Sequence, residues 1–227
     1  MNNRLVITID GPSAAGKGSL ARNLALFLDF SILDSGALYR AFAYFHDQGL
    51  NNKEIESSIE KLMFIPEKDD TKIFYEDTDI TSSIRNEEIA KVASELSALS
   101  DTRKSLIDIQ RNFMPSNNLV ADGRDMGTVV FPEAELKIFL VASAEVRAKR
   151  RYLELQNRGQ EVNMRDLITD IEARDMMDKS RTLSPLIPAE ESIIIDSSTM
   201  SLDEVLSFTK KLAKKELNKW QNHSLLY

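Results

Sequence analysis

Residues Ile9-Asp10-Gly11-Pro12-Ser13-Ala14-Ala15-Gly16-Lys17-Gly18-Ser19 follow a short apolar run, Leu5 to Ile9, and precede a helical pattern, Leu20 to Leu28. A strand, a glycine-bearing loop and a helix start in that order build a phosphate cradle. Gly11 and Gly16 let the backbone curl and turn its N–H groups inward. The helix N-terminus adds partial positive charge, and Lys17 adds a full one. This is the mechanical content of a P-loop. The plain alternative is a glycine-containing turn that only joins a strand to a helix. The pattern departs from its usual ending, because Gly18 follows Lys17 and the hydroxyl comes one place later, at Ser19.

Composition narrows the partners. The chain of 227 residues suggests one α/β domain with inserted subdomains. It has no cysteine, which excludes disulfides and thiolate chemistry and removes the best ligands for structural zinc. The net charge of −7 is the wrong sign for a nonspecific nucleic-acid binder. A small anionic substrate needs only local arginines. The apolar run at 5–9 is too short for a signal-peptide core, and no stretch is long enough to span a membrane, so a cytoplasmic protein is expected.

Beyond the loop, strands alternate with helices. Strands are expected at 31–33, 118–121, 136–141 and 192–195. Helices are expected at 37–47, 52–63, 84–99, 101–113, about 144–158, about 163–180 and 202–220. Residues 63–82 read as a small antiparallel insert built from Met63-Phe64-Ile65, Lys72 to Tyr75 and Ile80-Thr81. The alternation predicts a doubly wound parallel α/β sheet of the P-loop NTPase type, with helices on both faces and ligands at the carboxyl ends of its strands. His46 and His223 belong to no ligand set.

Three motifs fall at those strand ends: the P-loop, Asp34-Ser35-Gly36 and Asp122-Gly123-Arg124-Asp125. Either of the last two alone is ordinary turn chemistry. Together they converge on one crevice. Arg40, one helical turn beyond Gly36, and Arg124 suggest a second phosphate site, since the arginine fork binds phosphate in a bidentate way. Arg147, Arg150, Arg151 and Arg158 share one helix face. That face is either a solvated stripe or a lid that closes over a transferring phosphoryl group. Arg174, Asp178 and Arg181 share another face, which reads as helix support or as an acceptor contact.

These motifs, read with Ala37-Leu38-Tyr39-Arg40, with Met126 to Pro132 and with Arg174-Asp175 through Arg181, resemble the bacterial cytidylate kinases, nucleoside monophosphate kinases of the P-loop class. The resemblance runs over nearly the whole chain, and Gly18 fits it, because Gly-Lys-Gly-Ser/Thr is usual there. Ala14 departs, standing where the family commonly has glycine.

The resemblance implies a core at about 1–36, 118–143 and 181–227, a CMP-binding insert at about 37–117, and a lid with its following helix at about 144–180. It implies a monomer. ATP would lie on Gly11, Pro12, Ser13, Ala14, Ala15, Gly16, Lys17, Gly18 and Ser19. Ser35, Arg40, Arg124 and Arg181 are assigned to the acceptor phosphate, and Arg174 and Asp178 to the sugar. Ser94, Arg103 and Asp125 are assigned to cytosine, whose amino donor and ring acceptors suit a carboxylate beside arginine and serine donors.

The expected reaction is γ-phosphoryl transfer from MgATP to CMP or dCMP. Lys17, Arg124, Arg147 and Arg151 are its catalytic residues, and Ser19 and Asp34 are the magnesium contacts, direct or through water. The alternatives are a kinase of another nucleoside monophosphate or of shikimate, and a nucleotide-switched binding protein. Against the switch, no Asn-Lys-x-Asp motif is present, since Asn218-Lys219 continues as Trp220-Gln221.

Overall fold

The computed structural model describes residues 4–224 other than Arg158 and Gln160. Arg158 and the His223 side chain, both named above, lie outside the described residues. In chain order the elements are β1 (Val6–Asp10), α1 (Lys17–Leu28), β2 (Ser31–Asp34), α2 (Ser35–Asp47), α3 (Asn52–Ile59), β3 (Leu62–Pro66), β4 (Thr71–Tyr75) and β5 (Thr78–Asp79). There follow α4 (Thr81–Ile84), α5 (Glu87–Leu96), α6 (Ser100–Arg111), β6 (Leu119–Gly123), a π-helical turn (Met126–Val130), β7 (Leu136–Val141), α7 (Ala144–Asn157), α8 (Met164–Ser180), β8 (Ile193–Asp196) and α9 (Leu202–Ser224).

Five strands form one sheet in the order β2-β6-β1-β7-β8. Its registers are parallel, for example Asp34 opposite Asp122 and Asp10 opposite Phe139. The sequence predicted this parallel α/β sheet with interleaved helices. All five residues of β1 are buried, as a strand covered on both faces requires. A second sheet, β3-β4-β5, is antiparallel.

The chain divides into two compact units, Met1–Val6 with Ala21–Gly123 and Ile7–Leu20 with Arg124–Tyr227. In the first, α2 lays its apolar face on α5, where the small side chains Ala43 and Ala93 meet Ile89. Asp34 caps α2 by accepting a hydrogen bond from the Ala37 N–H at 2.9 Å. A capping box between Asn51 and Glu54 starts α3. In β3 the pattern alternates, with Leu62 and Phe64 buried and Met63 and Ile65 exposed. Phe64 meets Phe113 edge to face, with ring centroids 5.4 Å apart.

Boundaries in this unit differ from expectation for local reasons. The helix expected at 52–63 stops at Ile59, and Met63 joins β3, whose period-two burial outweighs helix propensity. Ile80-Thr81 is no strand. The backbone leaves the sheet there, with the Thr81 hydroxyl accepting from the Ile73 N–H at 2.9 Å. The helix expected at 84–99 is broken at Asn86, whose side chain caps α5 by accepting from the Ile89 N–H.

In the second unit α7 packs on α8, and α9 contacts β7. The π-helical turn after Asp125 went unread in the sequence, and a buried carboxylate accounts for it. Asp10, 4% exposed at the end of β1, accepts from the Met126 N–H at 2.8 Å and the Gly127 N–H at 2.7 Å. Glycine is needed at 127, because a Cβ would sit 2.9 Å from the Thr8 hydroxyl and 3.3 Å from the Asp10 carboxylate. Glycine is needed more strictly at 11, where φ is +147° and a Cβ would fall 2.0 Å from the Leu140 carbonyl oxygen. Ala14 holds a left-handed φ of 58°.

Two predictions follow from these backbone constraints. Burial pushes the Asp10 carboxyl up from its usual 3.8 to about 6, against the two N–H donors that favour the charged form. The fold therefore prefers the protonated acid. That preference is complete below pH ~4 and is lost as pH rises through ~6. Asp10→Asn does not titrate. Urea titrations at pH 4 and pH 7 should show the variant gaining on the wild type as pH rises, by at most about 3 kcal/mol. A gap that moves the other way would refute the burial account. Ala14→Gly should stabilise the protein by roughly 0.5–1 kcal/mol, because glycine adopts left-handed backbone without a Cβ clash but loses more freedom on folding. A lowered melting temperature would show that φ at this position carries no strain.

Candidate active site

The donor side is built in the second unit. The segment Gly11 to Ser19 joins the buried β1 to α1, which begins at Lys17 rather than at Leu20 as the sequence pattern suggested. The helix start therefore lies inside the loop, and its N-terminal N–H groups belong to the cradle. Gly16 has φ +99°. The Lys17 side chain is buried, and its ammonium donates to the Pro12 carbonyl at 2.9 Å, so it stands over its own loop.

Two arginines of α7 reach the same loop. Arg147, 4% exposed, donates to the Ser13 carbonyl at 3.3 Å, to the Ala142 carbonyl at 2.9 Å, and to both carboxylate oxygens of Asp175 at 3.0 and 2.6 Å. Arg150 donates to the Ala15 carbonyl at 2.9 Å. Arg151 faces Glu154 at 2.7 Å. Arg147, Arg150 and Arg151 are thus held by partners and do not form a solvated stripe. A pocket of about 370 Å³ opens between loop and helix, bordered by Ala14, Ala15, Gly16 and Ser19 on one side and by Arg150, Arg151 and Glu154 on another. Leu20 and Leu140 also line it, and Ser197, Met200, Leu202 and Val205 form its far wall. This far wall, which lies at and after the end of β8, carried no sequence signal that marked it.

A second cluster in this unit centres on Asp178, which is 1% exposed. Arg124 donates through Nε to one oxygen at 2.9 Å, and Arg181 reaches the other at 2.6 Å. Burial pushes the Asp178 carboxyl up, but Arg124, Arg181 and Arg174 together outweigh it and hold the group below the usual carboxylate range. The structure thus gathers Arg124, Arg174, Asp178 and Arg181, which the sequence placed in two separate motifs. Asp125 is buried at the head of the π-helical turn, its carbonyl accepting from the N–H groups of Val129 and Val130.

The first unit holds the remaining predicted residues. Ser35 is buried in the first turn of α2, and its hydroxyl donates to the Gln110 side chain at 3.0 Å. Asp34 lies beside it, 3.6 Å from the Arg85 guanidinium, which also pairs with Asp70. Arg40 lies near the Ile84 carbonyl at 3.5 Å. Ser94 and Arg103, unremarkable in spacing, are joined through Ser97. Its hydroxyl donates to the Ser94 carbonyl at 2.8 Å, and its own carbonyl accepts from Arg103 at 3.1 Å. The Arg103 guanidinium also lies 5.9 Å from the centre of the Tyr39 ring.

Sequence reasoning missed Gln110, Ser97, Arg85 and Asp175 as partners of the candidate residues. Asp175 was in view, adjacent to Arg174, but nothing in spacing pairs it with a residue 28 positions away. Among the described residues no group of three or more His, Cys, Asp or Glu side chains is arranged to hold a metal ion. No helix among them is long and apolar enough to cross a membrane.

Comparison with known proteins follows the same line. The family model for cytidylate kinase matches residues 7–215. The chain is 44% identical over 213 residues to the cytidylate kinase of Pasteurella multocida strain Pm70, covering 91% of this chain and 94% of that one. To the cytidylate kinase of Saccharophagus degradans it is 45% identical over 218 residues, covering 92% and 97%. Among solved structures, an uncharacterized protein from Eubacterium ventriosum aligns over 93% of this chain and 99% of its own with a TM-score of 0.55 and 12% identity, a likeness of fold alone. The chain belongs to the cytidylate kinase family.

Proposed function

We propose that this chain transfers the γ-phosphoryl group of MgATP to CMP or dCMP, giving ADP and CDP or dCDP. The family match over residues 7–215 carries the reading. A phosphate oxygen of the acceptor forms the new bond to the γ-phosphorus while the bond to the ADP oxygen breaks. The attacking group is already an anion, so the protein needs no strong general base. Positioning and electrostatic stabilisation do the work.

On this reading the loop from Gly11 to Ser19 holds the donor phosphates, and the pocket beside it takes the donor's base. Lys17 leaves the Pro12 carbonyl for a phosphate oxygen. Arg147 and Arg151 supply charge to the transferring group, each exchanging a carboxylate for phosphate. Ser35, Arg40, Arg124 and Arg181 bind the acceptor phosphate, Arg174 and Asp178 the sugar, and Ser94, Arg103 and Asp125 the cytosine. The insert at about 37–117 serves as the acceptor-binding part and the segment at about 144–180 as the lid.

Magnesium, arriving with ATP, neutralises charge on the phosphate oxygens. The Ser19 hydroxyl fits this group, since it borders the pocket at the start of α1. Asp34 fits less well, because its carboxylate already caps α2 and faces Arg85. The protein would act as a cytoplasmic monomer on free nucleotides, without nucleic-acid or membrane partners.

The deciding experiment measures ADP release from MgATP with CMP, dCMP, UMP, AMP, dTMP and shikimate offered separately. Turnover with CMP and dCMP alone is the expected result, and turnover with a different acceptor only would overturn the reading. Lys17→Ala should lower kcat by roughly a hundredfold or more while leaving CMP binding unchanged, since it removes charge at the transferring group. Asp125→Ala should erode the preference for CMP over UMP. An unchanged CMP/UMP ratio would remove Asp125 from the cytosine site.

A further inference from the structure

One arginine of α7 has no part in the reaction as described. Arg147 and Arg151 each face a carboxylate, Asp175 and Glu154. Arg150 is held by neutral oxygens instead. Its Nη1 donates to the Ala15 carbonyl at 2.9 Å and to the Ser197 hydroxyl at 3.1 Å, and its Nη2 donates to the Ser197 carbonyl at 2.8 Å. Ser197 is itself fixed. It is 2% exposed, its N–H donates to the Val141 carbonyl at 2.8 Å, and its hydroxyl lies 3.1 Å from that carbonyl and 3.3 Å from that of Ala15.

The guanidinium therefore cross-links two walls of the pocket. Ala15 belongs to the loop that ends at the phosphate-binding helix start, and Ser197 opens the segment that carries Met200 and Leu202 on the opposite side. Three acceptors on two separate backbone segments suit a rigid planar fork. A lysine ammonium offers no such fork.

We propose that Arg150 is a positioning residue for the nucleoside triphosphate, fixing the distance between the P-loop and the Ser197 wall so that the donor pocket is formed before the donor arrives. The inference rests on the reading of this pocket as the donor site. Arg147 and Arg151 can release a carboxylate when phosphate comes. Releasing Arg150 would instead strip hydrogen bonds from the loop that does the binding. Without the cross-link, ATP must order both walls itself. That cost falls on donor binding and not on the chemical step.

The test compares Arg150→Lys, Arg150→Met and Ser197→Ala with the wild type, measuring MgATP and CMP binding by calorimetry and KM and kcat by ADP release. Both Arg150 variants should weaken ATP binding about tenfold or more, as loss of charge-assisted hydrogen bonds implies. Their kcat at saturating ATP should stay within about threefold and their CMP affinity should be unchanged, the signature of lost binding and not of lost transition-state contact. Ser197→Ala, which keeps the backbone carbonyl, should fall between. Wild-type ATP affinity in both Arg150 variants would overturn the proposal. So would full recovery in Arg150→Lys, which would make charge the only requirement, or a parallel fall in CMP affinity, which would mark general loosening. If Arg150→Met does not fold, Arg150→Lys and Ser197→Ala decide the matter by the same criteria. A wild type that binds MgATP but turns over neither CMP nor dCMP would defeat the proposed reaction and leave the Arg150 comparison readable.

Discussion

The second unit depends on one carboxylate. Asp10 ends β1, and the next residue is the first glycine of the P-loop. Its two oxygens accept from successive backbone N–H groups at the head of the π-helical turn, directly after Arg124 and Asp125. The residue that launches the phosphate cradle therefore also sets the backbone of the segment proposed to read cytosine. A helix N-terminus presents N–H groups with no partner of their own, and a buried carboxylate is a strong acceptor for them. Desolvation opposes the charge, and the carboxyl is left a weaker acid than usual, with its pKa pushed up to about 6. The two glycines at 11 and 127 are the steric counterpart of this arrangement, because a side chain at either would strike neighbouring backbone or the carboxylate's own neighbours.

Around that anchor the cationic groups already have acceptors within the fold. Lys17 donates to the Pro12 carbonyl, Arg147 to Asp175, Arg151 to Glu154, and Arg124 and Arg181 share Asp178. A guanidinium buried without a partner would carry a large desolvation cost. A carboxylate removes much of that cost and keeps the fork oriented. When a phosphate displaces the carboxylate, the cation exchanges one anion for another, and the change in solvation is small. Kinases need many positive charges around a transferring phosphoryl group, and internal carboxylates let the fold carry them before any substrate is present.

Much of the framework was legible in the sequence, and the reasons are local. The apolar runs at 5–9 and 136–141 mark central strands, and the order of strand, glycine loop and helix start marks the phosphate cradle. The sheet and the loop follow from contacts between near neighbours or from burial alone. Other features were not legible. The π-helical turn depends on a carboxylate 116 positions away. The link from Ser94 to Arg103 runs through the Ser97 hydroxyl and the carbonyls of Ser94 and Ser97, and backbone acceptors leave no side-chain pattern. Asn86 could have been read, since an asparagine before Glu87-Glu88 is a helix start signal, but the apolar periodicity on either side masked the break. Spacing placed Arg147, Arg150 and Arg151 on one helix face and could not show that Arg150 would be held by neutral oxygens while the other two face carboxylates.

That last difference bears on how the helix proposed as the lid is attached. An arginine held by a carboxylate side chain can trade it for phosphate without disturbing backbone. One held by backbone carbonyls of the P-loop cannot, because those carbonyls belong to the surface proposed to bind the donor. Arg147 does both, its Nη1 donating to Asp175 and to the Ser13 carbonyl. Arg150 does only the second. The first turns of α7, where Arg147 and Arg150 sit, are therefore tied to the loop.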